Sequence, residues 1–203
     1  MQNKFILGVT AAAALLAGLA IAPAHAVAQE KGGGKKGPMQ LPPMIHLNIA
    51  AFPDGGRIPD KYTCAAPAKA PSPAMTWTGA PANTASYVLI MHDPDPVLNG
   101  SAATDVLHWA IFDIPGDAKG LAEGLASGDL PDGSKQIPNQ GRMPAYGGPC
   151  APPGHGDHHY TFEIYALSAK LGLPSDTSRA DLLAAMNGKV IAKGVYIGIF
   201  GQK

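Results

Sequence analysis

Two segments, distant in sequence, hold most of the side chains with chemistry to offer. The first runs Asp93-Pro94-Asp95-Pro96 and on to Leu107-His108-Trp109; the second runs Tyr146-Gly147-Gly148-Pro149-Cys150 and on to His158-His159-Tyr160. Each joins a loop rich in Gly or Pro to an apolar strand that carries a polar side chain. Together they supply a carboxylate pair, imidazoles, a phenol and glycine amides, which suits a small anion pocket better than bond-breaking chemistry. Pro94 and Pro96 stiffen the loop that carries Asp93 and Asp95. His108, flanked by Leu107 and Trp109, is expected by period-two alternation to share a face with Val106 and Ala110 and to point inward. An inward imidazole needs a partner: Asp93 is the candidate, and a backbone carbonyl is the alternative. A carboxylate partner would favour the imidazolium, and with it anion binding. The amides of Gly147 and Gly148 are open to close approach, as an anion nest requires, although an ordinary tight turn uses the same residues. In the next strand His158 and Tyr160 fall on one face and His159 on the other.

The elements that must position these groups read as strands. Residues 44–52, 74–78, 86–91, 106–112, 160–167 and 195–200 are short, aromatic or β-branched, and several alternate apolar with polar side chains. Turn signals separate them, among them Pro53-Asp54-Gly55-Gly56 and Pro131-Asp132-Gly133. One helix is clear: Ser178 and Asp181 form a capping box, 182–186 is helix-forming, and Gly188 stands where the chain must leave the helix. A second, short helix is expected over 118–125, weakened by Gly120 and Gly124. Residues 128–148 are rich in turn formers and read as a long loop, of the kind that is usually functional or disordered. The fold class expected is mainly β with one or two peripheral helices.

Residues 1–26 read as a secretory signal peptide: Lys4, then an apolar run to Ala22, then Ala24-His25-Ala26 as the cleavage site. No cysteine lies near the cut, which disfavours a lipid anchor. Residues 27–43 form a Gly-, Lys- and Pro-rich tail that has no apolar surface to bury, and 44–203 are expected to form one domain. The expected location is therefore periplasmic or secreted. Formal charge is zero and only 15% of residues are charged, which argues against a nucleic-acid partner. Cys64 and Cys150 are the only cysteines; in an oxidising compartment an even count favours a disulfide over two separate thiols. The cluster His155, Asp157, His158 and His159 keeps a thiol-free zinc or copper site open as an alternative. An enzyme is the weakest reading. Asp93 and His108 are two-thirds of a triad, but no serine sits in a nucleophile elbow, and no cofactor is implied.

Taken together, the Asp-Pro-Asp loop, Leu107-His108-Trp109, Gly147-Gly148-Pro149-Cys150 with Pro152-Pro153-Gly154, and His158-x-Tyr160 resemble the phosphatidylethanolamine-binding protein family, in its bacterial Raf kinase inhibitor-like branch. Residues 56–64, 85–91 and the helix at 182–186 are similar as well, so the resemblance covers roughly 44–202. It implies an antiparallel, Greek-key-type β-sheet core and a pocket for a phosphate-like anion or phospholipid headgroup. Carried over, the pocket residues are Asp93, Asp95, His108, Gly148, Pro149, His158 and Tyr160. The resemblance also implies a homodimer and, as an alternative role, inhibition of a protein partner such as a protease or kinase. The chain departs from the family pattern where Pro96 follows Asp95 directly and where Ala151 precedes Pro152. It departs again where residues 154–157 lengthen the approach to His158, and where His159 replaces an arginine with a titratable group.

Overall fold

The structure is a computed structural model, and it describes residues 43–203. The expectations for the signal peptide and for nearly all of the tail lie outside the described residues. Two open sheets face each other. The larger has six strands in the order β2-β9-β8-β4-β5-β7, and the smaller has three in the order β1-β3-β6. The strands are β1 (His46–Asn48), β2 (Gly56–Arg57), β3 (Met75–Thr78), β4 (Ser86–Asp93), β5 (Val106–Pro115), β6 (Gly120–Leu121), β7 (Lys135–Gln136), β8 (His158–Leu167) and β9 (Val190–Phe200). Pairing between the named strands is antiparallel, as expected of the core, except where the two-residue β2 runs parallel to β9.

Burial explains the order. β4 is buried on both faces along almost its whole length, as its apolar run Tyr87-Val88-Leu89-Ile90-Met91 requires, and it lies at the centre of the large sheet. β8 alternates buried with half-exposed residues, so one of its faces is turned towards the small sheet. The space between the sheets is filled by Leu47, Trp77, Leu89, Trp109, Phe162 and their neighbours. Behind the large sheet, Val88, Ile90 and Phe112 pack against Leu182 and Met186 of helix α2 (Arg179–Met186). That helix is capped as expected, with Ser178 Oγ accepting from the Asp181 amide at 3.1 Å.

Two expectations need correction. The strand at 44–52 shrinks to His46–Asn48, because the chain turns after Ile49 and the Phe52 amide bonds back to the Ile49 carbonyl. The helix at 118–125 is absent; its place is taken by a turn and by β6, whose Gly120 lies so close to the Met75 carbonyl that no side chain fits there. Gly124 adopts φ +71°, incompatible with a right-handed helix. The second helix is instead a single turn, α1 (Asp95–Leu98), formed within the Asp-Pro loop itself with Pro96 in its first turn. Among the described residues no helix is long and apolar enough to cross a membrane.

Candidate ligand pocket at one end of the large sheet

Three adjacent strands bring their polar ends together. Asp93 is the last residue of β4, His158 opens β8 beside it, and His108 lies near the start of β5 on the other side. His108 owes its position to a β-bulge. Pairing steps from Met91↔Trp109 to His92↔Leu107, so His108 is the extra residue. The bulge breaks the period-two alternation expected for this strand: Leu107 and Ala110 pack on the α2 side while Trp109 faces the small sheet. His108 is thereby turned to a cavity of about 290 Å³ that Asp93, His158 and Tyr160 also line. All four side chains are buried, at 4% exposure or less.

The hydrogen bonds differ from the pairing read from sequence. Asp93 Oδ2 accepts from His158 Nδ1 at 2.7 Å, not from His108. The other Asp93 oxygen accepts the Asp95 amide at 3.0 Å, so the α1 turn holds the carboxylate in place. His108 Nδ1 donates to the Gly147 carbonyl at 3.0 Å, while the Gly147 amide donates to the His108 carbonyl at 2.9 Å. The backbone alternative for His108 therefore holds, and the Gly147 amide is spent on the fold rather than offered to a ligand. Burial pushes the His108 imidazole below its usual pKa, against the opposing pull of the Gly147 carbonyl and the Asp93 charge. Tyr160 meets His108 edge-on, with ring centroids 5.1 Å apart at 81°. Its hydroxyl accepts the Cys150 amide at 3.1 Å, and burial drives its pKa well above the usual phenol range. On His158, Nε2 is buried and has no hydrogen-bond partner. A buried polar atom left unmatched inside a cavity wall is the feature that most calls for a ligand.

Not every residue named from sequence lines the cavity. Asp95 turns away and accepts from the His159 amide at 2.5 Å, with His159 Nδ1 at 3.2 Å, locking the start of β8 from outside. Gly148 and Pro149 stand behind the wall. A Cβ on Gly148 would come within 2.9 Å of the Tyr62 carbonyl, and the Pro149 carbonyl accepts the Cys64 amide at 3.0 Å. Cys64 and Cys150 are joined in a disulfide across a separation of 86 residues, and Cys150 and Ala151 form part of the cavity wall. The rim includes Ser101 and Gln140, which sequence reasoning missed, and Pro152 and His155, which it noted without placing them at the pocket. A larger groove, about 610 Å³, runs beside Ile45, Leu47 and Tyr196, but no buried polar side chains converge in it.

The side chains of the candidate His/Asp cluster are largely engaged elsewhere. His158 is bonded to Asp93, His159 leaves on the opposite face to Asp95, and Asp157 pairs with Arg57 at 3.3 Å. Among the described residues no group of three or more His, Cys, Asp or Glu side chains is arranged to hold a metal ion.

Comparison with known proteins agrees with this architecture. The family description "Phosphatidylethanolamine-binding protein" matches residues 48–201. A UPF0098 protein of Aquifex aeolicus is 40% identical over 151 residues, 74% of this chain and 84% of that protein. LppC of Mycobacterium tuberculosis, named as a lipoprotein, is 34% identical over 157 residues, 76% of this chain and 72% of its own. Among solved structures, a phosphatidylethanolamine-binding protein homologue from Chlamydia trachomatis superposes with a TM-score of 0.68 at 29% identity, covering 79% of this chain and 99% of that one. YbcL of Escherichia coli gives 0.70 at 25% identity, covering 78% and 99%. With the mainly β fold, the strand-end pocket and these matches in agreement, the chain belongs to the phosphatidylethanolamine-binding protein family.

Proposed function

We propose that this chain is a non-enzymatic binding protein working outside the cytoplasm, and that its pocket holds a small anion, either phosphate or the headgroup of a phospholipid. The observation that carries the reading is His158 Nε2, buried and without a partner in the cavity wall, with Asp93 behind the same ring. Tyr160 adds a phenolic proton, since its oxygen already accepts from Cys150. A cavity of about 290 Å³ is ample for a phosphomonoester and small for an acyl chain. The case against turnover is geometric. Asp93 and His158 form the rear of a triad, but the rim hydroxyl, Ser101 Oγ, is bonded to the Pro96 carbonyl at 3.3 Å and not to His158. Export is supported by the apolar leader read from the sequence, by the Cys64–Cys150 bond and by the lipoprotein name of one relative.

The test is an NMR titration of the protein with inorganic phosphate and with phosphoethanolamine, repeated on His158→Ala and His108→Ala. Saturable shifts at residues around the pocket are expected in the wild type and are expected to disappear in His158→Ala. A folded wild-type protein that shows no saturable shift with either probe rejects the anion-binding reading.

A further inference from the structure

The tautomers of the two pocket imidazoles follow from their partners. His108 Nδ1 faces the Gly147 carbonyl, which only accepts, so that nitrogen carries the proton. His158 Nδ1 faces the Asp93 carboxylate, which as an anion also only accepts, so it too is the protonated nitrogen. A neutral imidazole protonated at Nδ1 has a bare lone pair on Nε2. In their neutral forms both rings therefore keep an acceptor nitrogen for the pocket, not a donor. No lysine or arginine lines the cavity. A fully ionised anion entering this site would meet two lone pairs, and the buried Asp93 charge behind one of them. The only donor it would find among the buried side chains is the Tyr160 hydroxyl.

One proton resolves the conflict. Placed on His158 Nε2, it turns an orphaned acceptor into a charge-assisted donor and creates an imidazolium between Asp93 and the ligand. Resting on the anion-binding reading above, we propose that an anion enters this pocket together with one proton, taken up at His158 Nε2. The surroundings single out His158 among the pocket imidazoles. Burial disfavours a charge on His108, and its Nδ1 partner is an uncharged carbonyl. His155, at the rim, is exposed, with its ring centroid 6.1 Å from that of His158. From β4, His158 faces Asp93; from β5, His108; along its own strand, Tyr160; and from β9 its register partner is Phe200, which cannot titrate. Asp95 and Asp157 are engaged elsewhere, by His159 and Arg57. The proposal also defines the ligand class: a tetrahedral oxyanion able to share a proton with an imidazole, as phosphate and phosphomonoesters do near neutral pH.

The experiment is calorimetry on the protein at pH 8 with inorganic phosphate and with phosphoethanolamine, each in two buffers of different ionisation heat. The difference in observed heat counts protons. Uptake of about one proton per ligand is expected, with the Kd weakening as the pH is raised. Nitrogen-15 spectra of His158 are expected to show Nε2 protonated in the bound state at pH 8 and not in the free state. In His158→Gln, whose amide offers a donor that does not titrate, the uptake is expected to vanish. Binding with no proton uptake in the wild type, or uptake unchanged in His158→Gln, overturns the proposal while leaving anion binding intact. No binding of either probe overturns the anion-binding reading itself, a result that cannot be confused with the other two. Tighter binding of phosphoethanolamine than of phosphate identifies the source as a headgroup, and equal binding identifies it as phosphate.

Discussion

Gln136 is fully buried, and its side-chain amide is satisfied on both sides. Its oxygen accepts from Trp109 Nε1 at 2.6 Å, and its nitrogen donates to the carbonyls of Ala126 and Gly128 at 2.7 and 2.8 Å. One side chain thus fastens residues 126–128 to β5 from within 128–148, the stretch read from sequence as a long loop. Gln136→Ala strands an indole N–H and two carbonyls in the interior, at a cost of roughly 2–3 kcal/mol. Urea unfolding is the check: a midpoint unchanged within error would mean that solvent reaches these groups. Nothing about Gln136 or its neighbours Lys135 and Ile137 announces this role, because it depends on a tryptophan far away in sequence. The pocket residues divide along the same line. Asp93, His108, His158 and Tyr160 were legible, since polar side chains at the ends of apolar strands are few. Their pairing was not, because the β-bulge at His108 cannot be seen in an alternating pattern and it changes which imidazole the carboxylate reaches.

At the level of elements, the outer face of the large sheet carries an ion-pair network that ties β4, β8, β9 and α2 together. Arg179 grips Asp105 with two bonds of 2.7 and 2.8 Å, His92 lies 2.6 Å from the same carboxylate, and Glu163 bonds to Lys193 at 2.5 Å and accepts from Tyr165 at 2.7 Å. Burial alone would raise the Glu163 pKa, but the bonds from His92, Lys193 and Tyr165 outweigh it and hold the carboxyl at about 2. A folded pKa below the unfolded value of 4.5 means stability present above pH 4.5 and lost as the pH falls towards 2. The contribution is on the order of 2 kcal/mol after allowance for solvent screening. Glu163→Gln is expected to lower stability at neutral pH by about that amount and to flatten the stability profile between these two pH values. Thermal melts across the window are the test, and parallel profiles for the two proteins would contradict the assignment. Strands with strong alternation, such as β8, and the capped helix α2 were readable in advance, because local pattern and tertiary burial agree there. The helix expected at 118–125 failed because a close backbone approach at Gly120, invisible locally, overrides propensity.

For the molecule as a whole, the Cys64–Cys150 bridge is the main covalent constraint. Both half-cystines are exposed to solvent, while Cys150 also shapes the pocket wall. Closing a loop of this length stabilises by roughly 4 kcal/mol in the chain-entropy treatment. Replacing both cysteines by serine is expected to lower the melting temperature and to weaken the proposed anion binding, because the wall from Cys150 to Ala151 loses its anchor to residue 64. Melts and phosphate titrations of the wild-type protein with and without reductant should reproduce both effects, and unchanged ligand affinity after reduction would show the wall to be held by its hydrogen bonds alone. The bridge was foreseeable from an even cysteine count, whereas its service to the pocket required the fold.

The strand order has a further consequence, for time rather than for structure. Asp93 and His158 lie 65 residues apart in the chain, and the wall residue Ala151 is held by Gln202, another 51 residues distant. The contributions of β8 and of the Ala151 wall thus wait on pairings that local turns cannot nucleate, whereas β4 and β5 meet as neighbouring strands, and chains rich in such distant pairings fold on the order of milliseconds to seconds rather than microseconds. The pocket should accordingly be among the last features a refolding chain acquires, which would make the first appearance of the proposed anion binding a clock for the completion of the sheet.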